Sequence, residues 1–347
     1  MYCYKKLKTV LGFLCIFCSS TIPFSVYAEQ ISTQQASQQS SQQSSQQQVI
    51  NNIDKFVGKP VALALLDKMR DAVINTDYQL YFLQSEMGEY ANTFKYFHLA
   101  TEQEQMANLI YLEGIPQEII LNNHIISYFK ADSSSFSLAS SRIIEAFPDV
   151  VYSDFSQLVD SYDFIVVGKG RTANRSAQLV RIVSKNKDRY NYVIWIDEES
   201  YLPLRIDLLD LNYTIIQQIK ILDINLDFDK ESFKNHIKTK DYPILFPNEK
   251  SDSEIHHWKL TYLPSGFQEV ASYNINFYES SIDTQLFSDG IFSFSVNVSD
   301  SSDKNSHLFQ QGVKTIYSVN NKLGNIVIIG NLPAETIKKI AQGITAK

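Results

Sequence analysis

Apolar and polar residues alternate along most of this chain, and the period of that alternation changes from segment to segment. From Pro60 to Ile74, Ala62, Leu65, Leu66, Met69, Ala72 and Val73 fall on one face of a helix, with Asp67, Lys68, Arg70 and Asp71 opposite. Pro60 suits the first turn, because its fixed φ is helical and a helix start has no partner for the N–H it lacks. From Tyr78 the period falls to two, with Tyr78, Leu80 and Phe82 alternating with Gln79 and Tyr81. Comparable runs follow at Phe94–Leu99, Met106–Leu112, Ile125–Phe129, Phe164–Val167, Leu179–Val183, Tyr192–Ile196, Leu204–Leu208 and Tyr213–Leu222. Each is short, rich in Ile, Val, Tyr and Phe, and bounded by turn residues such as Asn122-Asn123 or Lys185-Asn186-Lys187-Asp188. Many short strands at hairpin spacing predict an antiparallel sheet, and too few helices intervene for a parallel one. So many strands curl a sheet toward a barrel.

The pattern lapses between Asp227 and Ser253, a charged stretch with Pro243 and Pro247 that reads as a linker over 227–253. A second β-rich unit follows over 254–347. There Phe292, Phe294, Val296 and Val298 alternate strictly with Ser293, Ser295 and Asn297, giving one buried face and one wet face. Val313–Val319 and Asn325–Gly330 add strands, and Pro333-Ala334-Glu335 opens a closing helix with Ile337 and Ile340 inward. The predicted class is mainly β (α+β), with a first folded domain over 59–226.

The beginning of the chain has a different pattern. Lys5, Lys6 and Lys8 precede an apolar run from Val10 to Cys18, and Val26-Tyr27-Ala28 suits cleavage before Glu29. Residues 1–28 read as a secretory signal peptide, since the apolar run is too short to span a bilayer. Ser32–Gln48 is almost entirely Gln and Ser, so 29–58 reads as a disordered spacer. Cys3, Cys15 and Cys18 all lie in the predicted signal, leaving the mature chain without disulfides, thiolate metal sites or cysteine nucleophiles. The whole chain holds 31 Lys+Arg and 38 Asp+Glu. Without Lys5, Lys6 and Lys8 the balance is 28 against 38, a net charge of −10, which disfavours binding to nucleic acid.

No motif carries catalytic chemistry. Gly168-Lys169-Gly170 begins like a dinucleotide fingerprint that Ala173 breaks, and it reads more simply as a hairpin turn. Glu254, His256 and His257 make a weak candidate for metal at the linker's end, so no metal site and no cofactor is expected. The aromatic content, 20 Tyr and 21 Phe, is more informative. A half-closed barrel lined by such side chains can hold acyl chains, although from the pattern alone a core filled by its own residues is the better reading.

Two sets of segments shift that balance. RYNYVIWIDEESYLPLRIDLLD (Arg189 to Asp210), with Trp195, Asp197, Leu202, Pro203 and Arg205, resembles a hairpin of LolA-type periplasmic lipoprotein carriers. YSDFSQLVDSYDFIVVGKGRTANR (Tyr152 to Arg175), TYLPSGFQEV (Thr261 to Val270) and LFSDGIFSFSVNV (Leu286 to Val298) together resemble the MucB/RseB family, in order, from about Ala62 to Ile344. These are regulators of the extracytoplasmic sigma factor E. The resemblance implies a half-open antiparallel β-barrel with helices at its mouth, a smaller β-rich C-terminal domain, and a place in the Gram-negative periplasm. It implies a non-catalytic protein that binds the periplasmic region of a transmembrane anti-sigma factor of the RseA or MucA type. Binding would shield that partner from proteolysis, and lipopolysaccharide or other lipid-like ligands would release it. A lipid or lipoprotein carrier is the alternative, and self-association is left open. Trp195, Tyr192, Tyr128, Phe129 and Leu204 are the candidates to line a lipid cavity, although Tyr192 and Trp195 have opposite parity on one strand. Asp289, Ser293 and Ser295 are the candidate partner surface. Two features depart from the family. The Gln/Ser spacer is foreign to it, and Gly114-Ile115-Pro116-Gln117-Glu118 has no basic residue where the resemblance leads one to expect some.

Overall fold

The structure, a computed structural model, describes residues 59–101, 104–246, 257–277, 280–300 and 306–347. The predicted signal peptide and spacer, with Glu254 and His256, lie outside the described residues.

Helix α1 (Lys59–Asn75) leads into eleven strands that form one antiparallel sheet. These are β1 (Tyr78–Glu86), β2 (Asn92–Ala100), β3 (Gln105–Tyr111), β4 (Gln117–Asn122), β5 (Ile125–Lys130), β6 (Phe136–Ala139), β7 (Tyr162–Thr172), β8 (Arg175–Ser184), β9 (Asn191–Asp197), β10 (Pro203–Leu209) and β11 (Ile215–Asn225). Their order is β6-β5-β4-β3-β2-β1-β11-β10-β9-β8-β7, so β6 and β7 are edges and the barrel is not closed. Two meanders, β1–β6 and β7–β11, meet only where β1 pairs with β11, Leu80 opposite Ile224.

The period-two pattern sets which face is buried. Tyr78, Leu80 and Phe82 of β1, Phe94 and Tyr96 of β2, and Tyr192, Ile194 and Ile196 of β9 point into one core with Ala62, Leu66, Met69 and Val73 of α1. Most of these side chains are fully removed from water, each contributing roughly 1.5–3 kcal/mol of transfer free energy.

Gly168-Lys169-Gly170 is not a hairpin turn. It lies within β7, where the register shifts between Val166 and Gly168, and the reversal comes at Ala173-Asn174, both at positive φ. Gly170 has a packing reason: a Cβ there would sit 2.3 Å from a ring carbon of Trp195.

The predicted linker contains helix α2 (Lys230–Lys238), capped by the Asp229 carboxylate accepting from the Ser232 N–H. Phe228, Phe233 and Ile237 cover Leu99, Met106 and Ile120 on the sheet's convex face, a small second core. Around it Lys230 pairs with Asp77 at 2.7 Å and Lys238 with Glu104 at 2.8 Å. Glu118 accepts from His236 Nε2 at 2.8 Å, from Asn108 Nδ2 at 2.7 Å and from Lys240. Burial raises the pKa of Glu118, but these donors outweigh it and hold the carboxyl below its usual range. The chain then runs along edge strand β6, where Phe246 N–H donates to the Ser137 carbonyl at 2.9 Å.

The C-terminal part contains a six-stranded antiparallel sheet. Its strands are β13 (Gln268–Phe277), β14 (Ser280–Ser288), β15 (Ser293–Ser299), β16 (His307–Gln311), β17 (Lys314–Asn321) and β18 (Gly324–Gly330), in the order β13-β14-β15-β18-β17-β16. Helix α3 (Ala334–Gln342) buries Ile337 and Ile340, and β12 (Trp258–Leu260) pairs with β19 (Ile344–Ala346). Phe294, Val296 and Val298 are buried while Ser293, Ser295 and Asn297 are half-buried, as the alternation predicts.

Candidate functional site: an aromatic cleft beside a buried ion pair

The two sheets meet through the turn between β14 and β15. Asp289 Oδ1 accepts from the N–H groups of Ile291 and Phe292 at 2.9 and 2.8 Å, which fixes the turn. Its Oδ2 accepts from the Tyr162 hydroxyl at 2.5 Å and lies 3.1 Å from Arg189 Nη1. Arg189 is 1 % exposed and Asp289 0 % by side chain. The guanidinium sits over the rings of Tyr162 and Phe267, at 5.2 and 4.9 Å, and donates to the Ser265 carbonyl. Burial, and then the Asp289 charge, raise the pKa of the Tyr162 hydroxyl, so it remains a donor. Ser153 Oγ donates to the Gly290 carbonyl at 2.7 Å, and Thr336 Oγ1 to that of Asp188 at 2.8 Å.

Beside this seam lies a cleft of about 500 Å³. Phe147, Tyr192, Leu208, Ile219, Ile291 and Phe292 are its apolar walls. Tyr192 and Phe292 stack on each other in its wall, with ring centroids 5.6 Å apart. Gln84, Gln217, Ser293 and Asn331 add amides and a hydroxyl, and Arg142, Glu145 and Asp149 supply the charges. Arg142 also borders a second cavity of about 280 Å³, with Tyr96, His98 and Tyr152. His98 Nδ1 is 2.9 Å from the Thr76 carbonyl. Burial lowers its pKa, although Thr76 and Asp77 favour the proton.

The predicted site residues separate by face. Tyr192 lines the cleft, Tyr128 is in the same core and donates to Glu145 at 2.9 Å, and Leu204 is fully buried. Phe129 packs on the opposite face, against the small core under α2 with Lys240 above its ring. Trp195, of opposite parity to Tyr192, lies between Gly170 and the Arg205 guanidinium, 5.2 Å away. Ser293 reaches the cleft, whereas Ser295 Oγ accepts from Asn297 within its own sheet. Asp289 is not a surface group. Its carboxylate is enclosed, so reversing its charge is expected to disrupt the seam and would not isolate a partner contact. Sequence reasoning missed Arg189, Tyr162, Arg142 and Glu145. A turn of the Ser-Asp-Gly type carries no sign of a partner one hundred residues upstream.

An open antiparallel sheet, joined to a smaller sheet by a buried ion pair beside an aromatic cleft, defines a two-domain β protein built to bind. Family models describing the MucB/RseB N-terminal domain and the MucB/RseB C-terminal domain match residues 61–242 and 252–345. The chain belongs to the MucB/RseB family, whose members are regulatory proteins. It is 35 % identical over 283 residues to the sigma-E factor regulatory protein RseB of Haemophilus influenzae, spanning 80 % of this chain and 89 % of that protein. RseB of Escherichia coli K12 is 32 % identical over 290 residues, spanning 82 % and 91 %. Among solved structures, the Pseudomonas aeruginosa MucA/MucB complex aligns with TM-score 0.65 at 19 % identity, over 82 % of this chain and 99 % of that one. MucB in complex with MucA(peri) aligns with TM-score 0.64 at 19 % identity, over 82 % and 99 %. At that identity the likeness concerns the fold. No helix among the described residues is long and apolar enough to cross a membrane.

Proposed function

We propose that this protein restrains the sigma-E envelope stress response by binding the periplasmic region of a transmembrane anti-sigma factor and shielding it from proteolysis. The observation that carries this reading is the match of both domains, in order, to a family whose curated relatives are named as sigma-factor regulators and whose solved relative is in complex with MucA(peri). Residues 1–28 export the chain to the periplasm and are removed, and 29–58 act as a spacer. Lipopolysaccharide or another lipid-like ligand releases the partner, which requires that the ligand bind the partner-free state better, with reciprocal coupling. The aromatic cleft favours a second reading, a lipid carrier in which Tyr192 lines the cavity and Tyr128 packs in the core behind it.

Calorimetric titration of the mature protein with the periplasmic region of the host's anti-sigma factor, with and without lipopolysaccharide, tests both. Tight binding that lipopolysaccharide abolishes is the expected result. No binding in either condition rejects the regulatory reading and promotes the carrier.

A further inference from the structure

The cleft is not a neutral apolar pocket. Glu145, on the segment between β6 and β7, accepts the Tyr128 hydroxyl at one carboxylate oxygen. Its other oxygen, Oε2, is enclosed and accepts no hydrogen bond from any described residue. The other charged groups on the cleft wall, Arg142 and Asp149, are 2.5 Å apart and offset each other. The Arg142 guanidinium is further committed to the Tyr152 ring, 4.8 Å away. The net charge of the lining therefore rests on Glu145, whose one hydrogen-bond donor among the described residues is a neutral phenol.

We propose that this cleft receives a basic side chain, Lys or Arg, from the partner polypeptide, with Glu145 as its counter-ion. The inference rests on the partner-binding reading above and names the chemistry of one contact. An enclosed carboxylate oxygen without a donor is unfavourable, and a ligand that brings a donor relieves it. A phosphate or carboxylate would meet like charge there. A bare acyl chain would suit Phe147, Tyr192 and Phe292 but leave Oε2 unmet. A Lys or Arg side chain satisfies both requirements, with its methylene stem on the aromatic walls and its head forming a charge-assisted hydrogen bond. Arg142 Nε–H is likewise enclosed with no acceptor among the described residues, and a main-chain carbonyl of the same peptide supplies one. The Gln84, Gln217 and Asn331 amides suit peptide groups on either side. The excess of acidic residues, 38 against 28 basic once Lys5, Lys6 and Lys8 are set aside, draws a basic segment toward it.

The test is calorimetric titration of the full mature chain and its Glu145→Gln variant with the periplasmic region of the host's anti-sigma factor, at low and high salt. Glutamine keeps the shape and the Tyr128 hydrogen bond and removes the charge. The variant is expected to stay folded by thermal melting, to bind roughly tenfold or more weakly, and to lose part of the salt dependence. A Glu145→Gln variant that binds within about twofold of the parent overturns the inference while the regulatory reading stands. A variant with unchanged partner affinity but altered release by lipopolysaccharide also overturns it, assigning the carboxylate to the lipid. A parent chain that does not bind at all overturns both.

Discussion

Two charged clusters stand at the joints of this molecule, and they work in opposite ways. On the convex wall, α2 is ringed by partly exposed pairs: Lys238 is 52 % exposed and His236 48 %. They surround a small core in which Phe97 stacks on Phe233. At the seam one arginine, 1 % exposed, meets one fully enclosed aspartate. The outer pairs are redundant and screened by water, so each adds about 0–1 kcal/mol, and the apolar contacts hold the helix. At the seam Arg189 also lies 3.4 Å from Asp188, but among the described residues Asp289 has Arg189 as its one cation. The pair's net worth over an apolar equivalent is small, but removing one partner leaves a charge stranded without water.

That contrast can be broken most forcefully at Arg189. Arg189→Met leaves Asp289 unpaired and is expected to cost about 3–5 kcal/mol in urea unfolding. Combining it with Asp289→Asn, which keeps the acceptor for Ile291 and Phe292, should recover much of that loss and give a large coupling energy in a double-mutant cycle. Tyr162→Phe removes a hydrogen bond to the same carboxylate and should cost roughly 1.5–3 kcal/mol.

Acidity separates the core around His98 from the wall on a finer scale. Burial lowers the pKa of His98, so below its unfolded value, about 6.5, the unfolded chain binds the extra proton. Stability is full above that pH and declines as the pH falls toward the folded pKa, and His98→Gln should flatten the slope between pH 7 and 5. The wall responds later. Glu118 has a lowered pKa, so its contribution persists above the ordinary carboxylate range, about 4.3, and disappears only as the pH falls through its folded value. The smallest effect is expected at Lys238→Ala, within about 1 kcal/mol and vanishing in high salt. A larger loss there would show that the outer pairs are not the redundant set described.

The strands of both sheets were legible wherever side chains alternate cleanly, as in Tyr78–Phe82 and Phe292–Val298, because one face is buried and the other wet. α2 was not, since in nine residues only Phe233 and Ile237 mark its inner face, and two positions define no period. β13 was not predicted either: Tyr273, Ile275 and Phe277 alternate with Asn274 and Asn276, but the first half, Gln268–Ser272, keeps no period of two. The opposed parity of Tyr192 and Trp195 followed from the period of two alone. The pairing of Arg189 with Asp289 was invisible because it depends on how two separate domains dock, and nothing local to either residue encodes that. Glu145 gave no signal either, since an isolated glutamate ordinarily belongs to the surface.

The β1–β11 junction has a kinetic consequence. Within each meander, neighbouring strands are joined by hairpins that form by closing short loops, and such steps are fast. Joining the meanders requires Gln79 to find Asn225, a closure across nearly the whole first domain. That contact raises the contact order and should dominate the folding barrier. Until it forms, β1 and β11 are both bare edges, open to strands from other chains. The interval in which the molecule is most exposed to misassembly is thus the delay between the emergence of Tyr78 and the arrival of Ile221.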